Sequence, residues 1–148
     1  MTAMAGRGRS RGQALVEFSV SAFLLVMVLL SVTEMTRFLL VYTALDNAAR
    51  AGTRYAIVHG GDRSGSGVDG PSGPGSYTEV QTVVRNFAST GALNAANVTV
   101  NVNYVDGNNT VGSRVEVQAV YLYDPFIGWF TQLSGFSLQS KSRGVIVF

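Results

Sequence analysis

Apolar and polar residues divide this chain unevenly, and the break comes early. From Ala14 to Val32 the only charged side chain is Glu17, and the run is mostly Leu, Val, Phe, Met, Ala and Ser. As a helix rising 1.5 Å per residue, such a run spans roughly 28 Å, close to the ~30 Å of a bilayer hydrocarbon core. Residues 13–33 are therefore expected to form a membrane-spanning helix. A secretory signal peptide competes for the same residues, but its apolar region is usually about 7–15 residues long and ends at an A-x-A pattern absent here. Beyond Thr33 the spacing changes. Phe38, Val41, Leu45, Ala48, Ala49, Gly52 and Ala56 recur at steps of three and four, and no Gly or Pro interrupts Gln13 to Ala51. One helix of about 45 residues, roughly 65–70 Å long, is predicted, with residues 34–59 as its extension outside the membrane. Asp46 with Arg50 at i,i+4 and Glu34 with Arg37 at i,i+3 suit its exposed face. The small residues Ala44, Ala48, Ala51, Gly52 and Ala56 line a narrow stripe that admits either a neighbouring backbone or the chain's own folded domain.

Gly60-Gly61 should stop the helix. Residues 60–76 hold seven Gly, four Ser and two Pro, the composition of a flexible linker. Ser76 followed by Glu79 reads as a capping box, with Ser76 as N-cap of a helix over 77–90 whose apolar face is Val80, Val83, Val84, Phe87 and Ala88. Strict alternation then takes over. Val98, Val100, Val102 and Tyr104 alternate with polar residues. Asp106-Gly107-Asn108-Asn109 supplies turn chemistry, and Val115, Val117, Ala119, Tyr121 and Tyr123 alternate again. Strands are predicted near 98–105, 113–123 and 137–148. The fold class is α+β: a long N-terminal helix, a short helix and an antiparallel sheet of about three strands, one face of which needs a helix to cover it.

Charge changes the picture at the N-terminus only. Residues 1–12 are rich in Gly, Arg and Ser with no acid, as expected of a basic cytoplasmic leader. The chain has 11 basic and 9 acidic residues for a net charge of +2. Loss of Arg7, Arg9 and Arg11 would leave a charge near −1, so the basic character belongs to the leader. That argues against nucleic acid as a partner, which would need a positive face on the folded part. The arginine asymmetry places the N-terminus in the cytoplasm and the 77–148 domain outside.

Gly12, with Glu17 at the fifth position of the following helix, resembles the processing site of a type IV prepilin. Further on, Glu34-Met35-Thr36-Arg37 and Asn47-Ala48-Ala49-Arg50-Ala51-Gly52-Thr53-Arg54-Tyr55-Ala56 resemble the juxtamembrane part of TadE-like pseudopilins, minor pilins of the tight-adherence (Flp) pilus system. Together these cover about residues 11–58. The family often has a proline near the positions of Ala22 and Phe23, which this chain lacks. The resemblance implies a pilin-like plan, cleavage between Gly12 and Gln13 by a membrane prepilin peptidase, and residence in the bacterial inner membrane. It makes Glu17 and Phe18 register and assembly positions, and Glu34, Arg37, Arg50, Gly52 and Arg54 a juxtamembrane motif. Glu17 would pair with the new α-amino group of Gln13 on a neighbouring subunit, each charge offsetting the desolvation of the other. On the residues alone, a carboxylate that snorkels to the cytoplasmic interface is the other reading.

Catalytic chemistry is sparse. There is no cysteine and one histidine, His59, placed to cap the helix end rather than to catalyse. Thiol catalysis and His-based zinc sites are thereby excluded. Gly65-Ser66-Gly67-Val68-Asp69-Gly70 matches G-x-G-x-x-G, but no strand precedes it and no helix opens on it. No enzyme activity, catalytic residue, metal, cofactor or small-molecule substrate is expected. The partners expected are membrane lipid, the prepilin peptidase and other pilins or pseudopilins. Phe126, Trp129 and Phe130 concentrate aromatics between the second and third strands. They either fill the core or form a patch that docks on another pilin or rests on the membrane surface. The reading is a minor pilin or pseudopilin in pilus assembly, with an uncleaved single-pass envelope protein as the alternative. A major filament subunit fits less well, since those of the Flp system are much shorter chains.

Overall fold

The computed structural model describes residues 7–91, 93–126, 128 and 134–147. The chain divides into two compact units, Met1–Thr36 and Arg37–Phe148. The elements in order are α1 (Arg7–Val58), α2 (Thr78–Thr90), and strands β1 (Val98–Tyr104), β2 (Arg114–Tyr123) and β3 (Phe136–Val145), with single 3-10 turns at Gly67–Asp69 and Ala95–Asn97. The strands form one antiparallel sheet in the order β1-β2-β3. The α+β class with a long apolar helix, a short helix and three strands is thus the one the hydrophobic pattern predicts.

The first unit holds the apolar part of α1. Its large side chains face outward, Leu15 at 67% and Phe18 at 71% exposure among them. The hydroxyls of Ser19, Ser31, Thr33 and Thr36 each donate to the carbonyl four residues back, at 2.8–2.9 Å. A polar group that returns its hydrogen bond to its own helix can sit in an apolar medium without an unmet partner.

In the second unit the sheet's period-2 pattern decides what is inside. Val98, Val100, Tyr104, Val115, Val117, Ala119, Tyr123, Leu138 and Ser140 point to one face and are buried. Register matches them across strands, Val102 opposite Val117 opposite Ser142, and Val100 opposite Ala119 opposite Ser140. That face is covered by both helices. From α1 come Leu45, Ala48, Ala49 and Ala56, and from α2 come Val80, Val84 and Ala88, all fully buried. The small-residue stripe on α1 therefore packs on the chain's own domain. Gly52 shows why the stripe is small: a Cβ there would stand 2.3 Å from Val84 Cγ2 and 3.3 Å from Val117 Cγ1. The opposite face is polar, with Glu116 between Arg143 and Lys141, and Gln118 bonded to Gln139 at 2.7 Å.

Several local expectations are corrected. Helix α2 begins at Thr78 after Tyr77, with no side-chain cap, because Ser76 is taken up by backbone hydrogen bonds to Gly73. Phe87 is half exposed, so the apolar face of α2 is narrower than its spacing suggests. The Gly/Ser/Pro segment makes defined contacts at Ser72, which is buried. Its amide and hydroxyl both reach His59 O, at 2.6 and 3.0 Å, and it accepts from Tyr104 Oη at 3.0 Å. Asn109 Nδ2 donates to Ser72 O, and Gly61 N donates to Asn109 O. The end of α1, the segment after it and the β1–β2 loop are thus hydrogen-bonded at one point. Burial pushes the Tyr104 phenol above its usual pKa.

Candidate functional site

Two regions carry the residues singled out by sequence: the N-terminal part of α1, and the end of the sheet domain where α1 enters it. In the first, Gly12 lies within α1, and a Cβ built there meets nothing within 4 Å. Gln13, Glu17 and Phe18 are exposed. Gln13 and Glu17 are four residues apart and so share one face of the helix. The helix holds one window long and apolar enough to cross a membrane, and none of that window is buried in the fold. By length and composition that stretch could span a membrane.

The juxtamembrane positions separate into three roles. The Arg37 guanidinium stands 5.3 Å from the centre of the Tyr123 ring, a cation–π arrangement that joins α1 to the end of β2. Arg50 Nε lies 2.9 Å from Asp46 Oδ2, the i,i+4 pair expected from sequence, while Asp46 Oδ1 accepts from Ser140 Oγ at 2.8 Å. Asp46 therefore fixes α1 to β3 as well as to Arg50. Gly52 is buried and sets the approach of α1 to α2 and β2, whereas Arg54 is exposed. Glu34 is half-buried.

Residues 37–58 of α1 run antiparallel to β2 and parallel to β3. Phe38 meets Tyr123 and Phe136, Asp46 meets Ser140, and Ile57 meets Gly144 and accepts from Val147 N at 3.1 Å. Phe38, Tyr123 and Phe136 form an aromatic cluster with ring centroids 5.5–6.2 Å apart. Phe126 lies just beyond the end of β2 and is 65% exposed, so it does not fill the core. Trp129 and Phe130 lie outside the described residues. Sequence reasoning missed Leu122 and Phe136, 60% and 42% exposed at this same end. Leu122 could have been noticed, because it is a large apolar residue in a slot that alternation assigns to the polar face.

His59 is buried, stacked on Tyr55 with ring centroids 3.8 Å apart, and its Nδ1 lies 2.8 Å from Tyr55 O. A carbonyl only accepts, so Nδ1 carries the hydrogen and the ring serves the helix end. Among the described residues no group of three or more His, Asp or Glu is arranged to hold a metal ion. The G-x-G-x-x-G segment forms a 3-10 turn with positive φ at Gly65 and Gly67.

No curated protein matches the chain, and no solved structure does. Residues 12–54 match the family model described as TadE-like protein. That span contains Gly12, Glu17, Phe18 and the whole juxtamembrane motif, and it ends ahead of α2 and the sheet. Over that segment the chain is similar to the TadE-like family.

Proposed function

We propose that the protein is a minor pilin or pseudopilin that acts in assembly of a Tad/Flp-type pilus. In this reading residues 13–33 anchor it in the inner membrane with its N-terminus in the cytoplasm and residues 37–148 outside. A prepilin peptidase removes the basic leader after Gly12. The Glu17 carboxylate then pairs with the α-amino group of Gln13 on a neighbouring subunit and sets the axial register, as a buried polar pair does in a coiled coil. The protein works by packing and is not an enzyme. Its partners are membrane lipid, the peptidase and other pilins or pseudopilins.

The observation that carries this reading is the wholly exposed apolar window of α1 inside a segment that matches the TadE-like family. The outer domain completes its own core without those residues, so they remain available for lipid and for other membrane helices. Removing the gene from a host that makes the pilus, and restoring either the full chain or one lacking residues 13–33, tests it. Pili should be lost and should return only with the full chain. Undiminished piliation without the gene, or recovery with the truncated chain, contradicts the reading.

One observation favours the alternative of an uncleaved single-pass envelope protein. Gly12 stands inside α1, which starts at Arg7, and a peptidase needs the scissile bond out of a helix. Glycine in a helix interior costs about 1 kcal/mol relative to alanine, so unwinding at this point near the helix end is cheap.

A further inference from the structure

We propose that the end of the outer domain at which α1 enters rests on the surface of the bilayer, at the level of the lipid headgroups. The inference depends on residues 13–33 spanning the membrane, and it goes beyond that reading by assigning a lipid-facing surface to the folded domain.

The aromatic cluster fixes which end of the domain this is. Phe38 on α1 packs edge-on against Tyr123 at 5.8 Å and lies 6.2 Å from Phe136, so the last residues of β2 and the first of β3 are held beside the start of the domain's helix. Arg37 follows Val32, the last residue of the apolar run, by five positions. Five residues reach at most about 18 Å even when fully extended, so this end of the domain stays close to the bilayer however the domain is turned. The opposite end, with the β1–β2 loop, has no such tether.

The chemistry of that end suits the interface. Leu122, Phe126 and Phe136 are exposed there, and Leu40 and Tyr42 are exposed on the adjoining turns of α1. Large apolar and aromatic side chains beside an arginine are the composition found at membrane–water boundaries. Arg37, exposed above the Tyr123 ring, brings positive charge to the level of the phosphates. Asp124 is exposed at the same end and must remain hydrated, which limits the depth to the headgroups and keeps the surface out of the acyl chains. At the other end the exposed apolar residues among those described are the smaller valines Val58, Val105, Val111, Val145 and Val147, with no exposed aromatic or leucine beside them, and Val105 and Val111 flank a loop of Asp, Gly, Asn and Thr.

The chain has no cysteine, so single-cysteine labelling needs no background changes. Leu122→Cys, Phe126→Cys, Val111→Cys and Leu24→Cys would each be labelled with an environment-sensitive fluorophore. The full chain is then reconstituted in vesicles of phosphatidylethanolamine and phosphatidylglycerol at 3:1, with and without brominated lipid. All four positions are exposed, and circular dichroism checks that each labelled chain keeps the fold. The expected result is quenching by brominated lipid at 24, at least twofold more quenching at 122 and 126 than at 111, and no dependence on the protein-to-lipid ratio. Quenching at 24 with 122 and 126 no different from 111 overturns the inference and leaves the membrane helix standing. No quenching at 24 overturns the membrane helix and the inference with it. A spectral shift at 122 and 126 that grows with protein-to-lipid ratio, without quenching by brominated lipid, overturns the inference in favour of contact with a second copy of the chain.

Discussion

Gly52 and Val84 approach so closely that a methyl group on Gly52 would stand 2.3 Å from Val84 Cγ2. Val117 Cγ1 lies 3.3 Å from the same point, so the displaced side chain has little room to move aside. This contact joins the part of the chain that matches the TadE-like family to the part that does not. Gly52→Ala gains about 1 kcal/mol of helix propensity and meets an overpacking cost of about 1–3 kcal/mol, and here the cost wins because both obstructing atoms are on branched, buried valines. Thermal unfolding of the full chain in detergent should show a melting temperature lower by roughly 5 °C. An unchanged or raised value would mean that α1 does not lie against α2 and β2 as described.

Ser72 and Tyr104 make a second linkage between distant parts of the chain. Tyr104→Phe removes the bond to Ser72 Oγ but leaves Ser72 bonded to His59 O, so a loss of about 1 kcal/mol is expected. Ser72→Ala leaves the buried Tyr104 hydroxyl unpaired and should cost more, about 1–3 kcal/mol. The double variant should cost less than the sum of the two, and full additivity in urea unfolding would contradict the linkage.

The β1–β2 loop and the outer face of the sheet set an acid limit. Hydrogen bonds from Arg114 hold the Asp106 carboxyl down to about 2, from an ordinary 3.8, and Arg143 holds Glu116 below its usual range. A folded-state pKa below the unfolded one means that the stabilisation is complete above the unfolded value and lost as pH falls through the folded one. Melting temperature should be flat from pH 7 to 5 and fall between about 4 and 2. Asp106→Asn should lower it at pH 7 and shallow the acid decline. Equal slopes for the variant and the parent would remove Asp106 from the account.

Much of the fold was legible because its two signals are periodic. The three strands follow from alternation, and the core of α1 follows from Leu45, Ala48, Ala49 and Ala56 at helical spacing. What was illegible depends on tertiary partners. Ser76 looked like a helix cap and instead pairs with Gly73. Gln81 and Arg85 reach the carbonyls of Val100 and Val98, so α2 lies along the β1 edge, which no local pattern announces. Ser72 sits in a segment whose composition suggests only flexibility, and its partners are 13, 32 and 37 residues away. Of the candidate site, the apolar window could be read directly. The exposed end at Leu122, Phe126 and Phe136 could not, because an aromatic-rich stretch has the same sequence whether it lies inside or outside.

The proposed roles of Gly12 and Glu17 separate in two variants. Gly12→Ala should leave the precursor unprocessed, seen as a band that keeps the leader's mass. Glu17→Ala should be cut at close to the normal extent, yet yield few pili, because register is set after cleavage. Normal piliation with Glu17→Ala would remove the register pair from the mechanism.

The most direct test is the intact mass and N-terminal sequence of the protein taken from membranes of cells that carry its own pilus genes. A chain that begins at Gln13 is the expected result. A chain that still carries residues 1–12 would contradict prepilin processing. It would leave Glu17 with no amine to pair with and would support the uncleaved single-pass protein.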